Sequence, residues 1–273
     1  MISADTASLV PALAGGAAIG SFLSVVAARL PPLMLESAHG RPSVSNLVKT
    51  LSWPSSHCGS CKTPLSWRDN VPVLSYVLLK GRCRHCQAAY GARYVLLELS
   101  CVAAAGLCVY WFGWTAQAWL CFSLLAVLLT LTAIDIRDML LPDILVLPLL
   151  PLGILYQTLY GEGAMNAVLG AALAFLILWA IGTLYRLARH QNGLGGGDVK
   201  LAGVLGAWLG LSQVPFFLIA AFASGTIIMS WSLLRQRSSS DTPLPFGPFL
   251  ALSGAAFVLF PQLTAVLRDL LAF

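Results

Sequence analysis

YVLLELSCVAAAGLCVYWFGWTAQAWLCFSLLAVLLTLTAI, from Tyr94 to Ile134, is a run of 41 residues with a single charge, Glu98. As one helix at 1.5 Å per residue it would extend about 60 Å, twice the roughly 30 Å hydrocarbon core of a bilayer. It therefore reads as two crossings, with the turn at Gly113 and Trp114. Asp135 follows immediately and opens a short polar loop, DIRDMLLPD, which closes at Asp143.

Outward from this stretch the chain repeats the pattern. Of its 273 residues 58% are hydrophobic and only 10% charged, with mean hydropathy +0.81, whereas soluble domains carry about 25% charged residues. The fold class is an all-α polytopic membrane protein. Its formal charge of +5 sits in loops between apolar runs and on no helix face, so topology accounts for it and a nucleic-acid partner is not expected.

Taken in order, residues 1–28 hold a first span from Leu9 to Ala28, ended by Arg29 and the pair Pro31–Pro32; with no basic segment before it, it stays as a span. Residues 29–93 form a polar region with nine of the sixteen Lys and Arg, which places it in the cytoplasm and the N-terminus outside. Residues 94–273 are a multi-span domain. A second pair of crossings covers Ile144 to Arg186, turning near Gly161, Glu162 and Gly163. Leu201 to Leu234 is too long for one crossing and short for two, so two short or re-entrant crossings are expected, because these return Arg235 and Arg237 to the cytoplasm. A last span runs from Pro248 to Leu267. The total is about eight, in a lipid bilayer.

Between the first two spans stand Cys58, Cys61, Cys83 and Cys86, two CxxC pairs with 21 residues between them. Two thiols on each of two tight turns suit tetrahedral, structural Zn2+ in a small cytoplasmic loop domain; redox-active or free thiols are the alternative. A polar insert with so few apolar clusters gains from such a staple. His57 and His85 are read as solvated, and Cys101, Cys108 and Cys121 as small packing residues. Arg68, Asp69, Asn70 and Pro72 either form a turn of the zinc region or help to bind a second substrate.

Two acids stand where apolar segments meet loops, Asp135 and Asp198, the latter in GLGGGDVKL from Gly193 to Leu201. Singly, Asp198 after a glycine run is also a good helix N-cap, as is Asp143, and Asp135 could mark a boundary. Together they suit catalysis. Two close carboxylates do not readily ionise twice, so one keeps a proton while the other draws a proton from a bound water. That water attacks a peptide carbonyl. Gly195 and Gly197, free to take positive φ, would let an extended substrate lie beside Asp198, with Lys200 next to them. Asp138 is read as solvated or paired. The other class considered is a transporter or proton relay, which would spread acids through the spans; a third is a zinc-loop docking protein with an inactive membrane part.

Several motifs in order resemble the bacterial type IV prepilin peptidases: GSFLSVV at Gly20 to Val26, the paired CxxC, RDNVPVLSYVLLKGRC at Arg68 to Cys83, RYVLLE at Arg93 to Glu98, DIRDMLLPD, GLGGGDVKL, and PFGPFL at Pro245 to Leu250. Ser24, Gly59 and Val95 depart from the family pattern. The resemblance implies a GxGD-type intramembrane aspartic peptidase of the bacterial inner membrane, with Asp135 and Asp198 catalytic. Its substrates would be type IV prepilins or type II secretion pseudopilins, cut on the cytoplasmic side. It also implies N-methylation of the new terminus from S-adenosyl-L-methionine, at a site not legible in the residues, although Glu98 is an acidic candidate within a family motif; a peptidase without the methyltransferase is the narrower alternative.

Overall fold

The computed structural model describes residues 6–36, 60–61, 63–64, 78–79, 81–89, 92–191, 193–234 and 245–271. Cys58, His57, Arg68, Asp69, Asn70, Pro72, Arg235 and Arg237 lie outside the described residues. Among the described residues the elements are helices: α1 Thr6–Glu36, α2 Ala92–Phe112, α3 Ala116–Asp138, α4 Asp143–Val146, α5 Leu149–Tyr160, α6 Ala164–Arg189, α7 Gly196–Leu209, α8 Val214–Leu234, α9 Gly247–Leu259 and α10 Leu263–Leu271. Packing divides the chain into two units, Met1–Ile134 and Asp135–Phe273.

Among the described residues six segments are long and apolar enough to cross a membrane: Leu9–Leu35, Arg93–Phe112, Ala116–Asp138, Asp143–Tyr160, Ala164–Arg189 and Leu211–Ser232. This is a membrane protein. The expected eight spans become six by length and composition, because α7 and α9 have only 14 and 13 residues, about 20 Å each.

In the first unit α1 and α2 approach closely over small residues. A Cβ on Gly16 would lie 2.8 Å from Ala105 Cβ, and one on Gly20 would lie 2.9 Å from Cys101 Cβ. Without a hydrophobic drive between helices in lipid, such close backbone contact is what holds a pair together. Cys101, Cys108 and Cys121 are fully buried, as packing residues should be. The helix does not stop at Pro31–Pro32 as expected but runs on to Glu36. A proline's φ is itself helical, and what it removes is one hydrogen bond to the turn before; here that turn is packed, with Val26, Ala27 and Leu30 buried. The turn between α2 and α3 falls where the sequence placed it, at Gly113 with φ +66, and is flanked by exposed Tyr110, Trp111, Trp114 and Trp119, an aromatic cluster of the sort found at a bilayer surface.

The second unit is built around α7. From Leu201 to Leu209 every residue is buried, enclosed by α5, α6 and α9. A Cβ on Gly170 of α6 or Gly206 of α7 would collide with the other's carbonyl oxygen, so only glycine allows the two backbones to touch. Trp208 fills the space left by Gly153, donates from Nε1 to the Leu149 carbonyl at 2.8 Å, and its own carbonyl accepts from Gln157 Nε2 at 2.8 Å. Gly210, at φ +76, breaks the 201–234 stretch into α7 and α8. The expected last span to Leu267 stops instead at Leu259, because Pro261 lacks an N–H and pushes Phe260 out of helical geometry, to φ −129 and ψ 71.

Candidate active site

Asp135 sits in the last turn of α3, not in a loop: the helix continues three residues past it to Asp138. Met139 ends the helix with φ +52, its N–H bonded to the Asp135 carbonyl at 2.9 Å, a left-handed cap that satisfies an orphan carbonyl. Asp135 is 5% exposed. Its Oδ2 accepts the Gly247 backbone N–H at 3.1 Å.

Asp198 is the third residue of α7, whose N-cap is Gly195, and its carboxylate accepts a hydrogen bond from the Gly195 amide. Its Oδ1 is one of three buried side-chain oxygens without a partner among the described residues, and the only carboxylate oxygen of the three. An oxygen so placed costs free energy unless something else, such as water or substrate, supplies a bond. Asp198 precedes the apolar run that begins at Leu201. Burial, and then the neighbouring Asp135 charge, push its carboxyl up to about 7, while the Gly195 amide pulls the other way. The two aspartates, 63 positions apart, are thus close enough for one charge to act on the other.

The glycines act through space rather than torsion. Gly195 has φ −70 and ψ 139, and Gly197 lies within α7 without positive φ, which corrects the expected left-handed backbone. A Cβ on Gly195 would stand 2.9 Å from Asp198 Oδ2, and one on Gly197 would stand 2.8 Å from Leu141 Cβ. Leu141 is the shared wall, since its Cδ2 would lie 3.2 Å from a Cβ on Gly247 as well. Gly195 and Gly196 are exposed, so the backbone beside Asp198 has an open side.

Lys200 points elsewhere. Its Nζ bonds both oxygens of Asp143, at 2.8 and 2.7 Å, and Asp143 accordingly caps nothing: the residue before α4 is Pro142, with no side-chain cap. Asp138 pairs with Arg137 at 2.6 Å. Gly247 and Leu141 were not singled out by sequence reasoning, although both lie inside quoted motifs; Gln157, a polar residue amid an apolar span, was a signal left unused.

In the first unit Cys61, Cys83 and Cys86 place their sulfurs within 4.8 Å of one another, a group able to hold a metal ion. Cys61 and Cys83 Sγ are 4.0 Å apart; two thiolates at about 2.3 Å from a tetrahedral zinc stand about 3.8 Å apart. The turn is made by Cys83 N–H to the Ala88 carbonyl at 2.9 Å and Gln87 N–H to the Cys83 carbonyl at 3.0 Å, and the His85 amide donates to Cys83 Sγ at 3.4 Å. His85 is exposed and is not part of the group. Glu98 is buried on α2, where a Cβ on Gly20 would come 3.0 Å from its Cα.

Comparison with known proteins gives the family. Residues 15–112 match the bacterial peptidase A24 N-terminal domain, and residues 122–230 match the type IV leader peptidase family. The chain is 42% identical over 257 residues to a prepilin leader peptidase/N-methyltransferase of Burkholderia pseudomallei, covering 90% of this chain and 83% of that one. Proteins of the same name from Stutzerimonas stutzeri and Pseudomonas aeruginosa are 35% and 37% identical, covering 93% and 88% of this chain and 91% and 86% of theirs. No solved structure matches. On two successive family models and relatives matched along most of their length, the chain belongs to the type IV leader peptidase family.

Proposed function

We propose that the protein removes the leader from type IV prepilins or type II secretion pseudopilins through the pair Asp135 and Asp198, and then N-methylates the new terminus. The observation that carries the peptidase is the orphaned Oδ1 of Asp198 beside a second buried carboxyl. One proton between two acids holds a water between them; the carboxylate accepts its proton as the water attacks, and the acid protonates the oxyanion. Gly195 and Gly197 keep side chains away from this point so that an extended substrate can reach it. Lys200 contributes by fastening the first turn of α7 to α4 through Asp143.

The cysteines, with Cys58 as fourth ligand, suit structural Zn2+, since four thiolates leave no open position for substrate. They would supply a fold for the polar region, and nothing in the peptidase step passes through them. The methyl donor implied by kinship is S-adenosyl-L-methionine. Among the described residues there is no glycine-rich strand-to-helix turn of the Rossmann kind, and no residue of this chain is assigned to that step.

Counting α7 and α9 as short crossings brings the six longer ones to eight. With the N-terminus outside the bacterial inner membrane, the basic 29–93 region, Asp135, Asp198 and Gly247 then all fall at cytoplasmic ends. A transporter or proton relay would want acids along the spans, and no observation favours it.

Mass spectrometry of a prepilin after reaction tests both activities, because leader loss and methyl gain give separate mass changes. Wild type should show both, and Asp135→Asn and Asp198→Asn neither cut nor methylate, with a loss of cleavage of at least about 10³-fold in folded protein. Full cleavage by either variant rejects the pair; cleavage without methylation by wild type leaves a peptidase alone.

A further inference from the structure

We infer that the Gly247 amide is the positioning group that makes the two aspartates unequal, holding Asp135 as the carboxylate that takes a proton from water and leaving Asp198 as the acid. The inference rests on the pair proposed above and adds a division of labour to it.

Gly247 is the first residue of α9, so its N–H is one of the four that a helix cannot satisfy internally. It is aimed at Asp135 Oδ2 at 3.1 Å in a buried setting, where a donor at the positive end of a helix favours the ionised form of its acceptor. Asp198 is less well served. The Gly195 amide bonds its carboxylate, but among the described residues its Oδ1 has no partner, so the protonated form can direct its O–H into the site.

Only glycine fits at 247. A Cβ there would stand 2.7 Å from Asp135 Oδ2 and 3.2 Å from its Cγ, so any side chain displaces the carboxylate from the amide. The amide is held in place from behind. Phe246 stacks on Phe222 of α8 with centroids 5.0 Å apart at 29° and leans on Phe249 at 6.4 Å. Pro248 fixes φ in the first turn, where no N–H is needed. Further along α9, and away from the amide, Ser253 Oγ donates to the Phe217 carbonyl at 2.6 Å.

The proton balance follows. Water gives a proton to Asp135 as its oxygen bonds to the carbonyl carbon, and the carbonyl oxygen takes the Asp198 proton. When the C–N bond breaks, Asp135 passes its proton to the leaving amine, and the hydroxyl formed from the carbonyl returns its proton to Asp198. Both carboxyls end as they began.

The test is kcat, KM and their pH profiles for prepilin cleavage by full-length wild type, Gly247→Ala, Phe222→Ala and Ser253→Ala, with Asp135→Asn and Asp198→Asn alongside. Gly247→Ala should lose about 10²-fold in kcat with KM nearly unchanged, and the acid limb of its kcat profile should move to higher pH. Phe222→Ala, which loosens the backing only, should do the same to a smaller extent and decides the matter if Gly247→Ala does not fold. Ser253→Ala, which cuts a tie of α9 away from the pair, should leave the profile in place. An unmoved acid limb in Gly247→Ala or in folded Phe222→Ala, or the same movement in Ser253→Ala, overturns the inference. Activity in either Asp→Asn variant would instead overturn the pair itself.

Discussion

The cysteine turn and the aspartate pair are both gatherings of like groups, built in opposite ways. Around Cys83 the backbone bonds to Ala88 and Gln87 are made, and the His85 amide donates to the sulfur. Around Asp198 one carboxylate oxygen has no partner among the described residues, and the three residues before it are glycine. A closed cluster of this kind stabilises a fold, whereas one left a bond short, next to open space, is where a reaction can be fed. The difference predicts unequal costs of substitution. Cys83→Ser, or chelation, should remove about one zinc per chain by elemental analysis and lower thermal stability, yet leave cleavage within about tenfold in protein that remains folded. If folded, metal-free protein lost cleavage as fully as Asp135→Asn, the two clusters would not be doing different work.

Much of this contrast was legible before any coordinates. Apolar length separates crossings, and Gly113 and Gly163 mark their turns because those positions need positive φ. The proposed pairing of Asp135 with Asp198 starts from their place in the sequence, where apolar segments meet loops. Other features depend on packing that no single stretch encodes. Pro31 and Pro32 look like a stop, but the buried turn before them carries α1 onward. Gly195 looks like a torsional device, but its torsions are ordinary and its use is the room beside Asp198. Gly247 could be seen in a motif; that it donates to an acid 112 positions earlier is a fact of tertiary structure only.

A smaller effect sharpens the contrast through pH. The Asp198 carboxyl is raised to about 7 from its ordinary value of 3.8, by burial first and by Asp135 second. Between those values the unfolded chain has released this proton and the folded chain still holds it. The folded state binds more protons, so stability falls as pH rises from about 4 towards 7. Asp198→Asn has no such proton to lose. Its melting temperature should therefore exceed that of wild type by more at pH 8 than at pH 5. Equal pH dependence in the two proteins would mean that Asp198 is not the strained member of the pair. The cysteine turn predicts no counterpart, since the effect proposed for Cys83→Ser is on metal binding.

The smallest effect concerns Lys200, which stands two residues from Asp198 yet belongs with the satisfied groups. Its ammonium and the Asp143 carboxylate are each 43% exposed, and an exposed pair is worth about 0–1 kcal/mol. If its contribution is to steady the first turn of α7, Lys200→Ala and Asp143→Ala should each lower kcat/KM by only about twofold to threefold. The double variant should then be no worse than either single one, because both remove the same tie. Additive losses would separate the two residues. A rise in KM confined to Lys200→Ala would place the ammonium against the substrate, and the line between closed and open groups in this unit would have to be redrawn to include it.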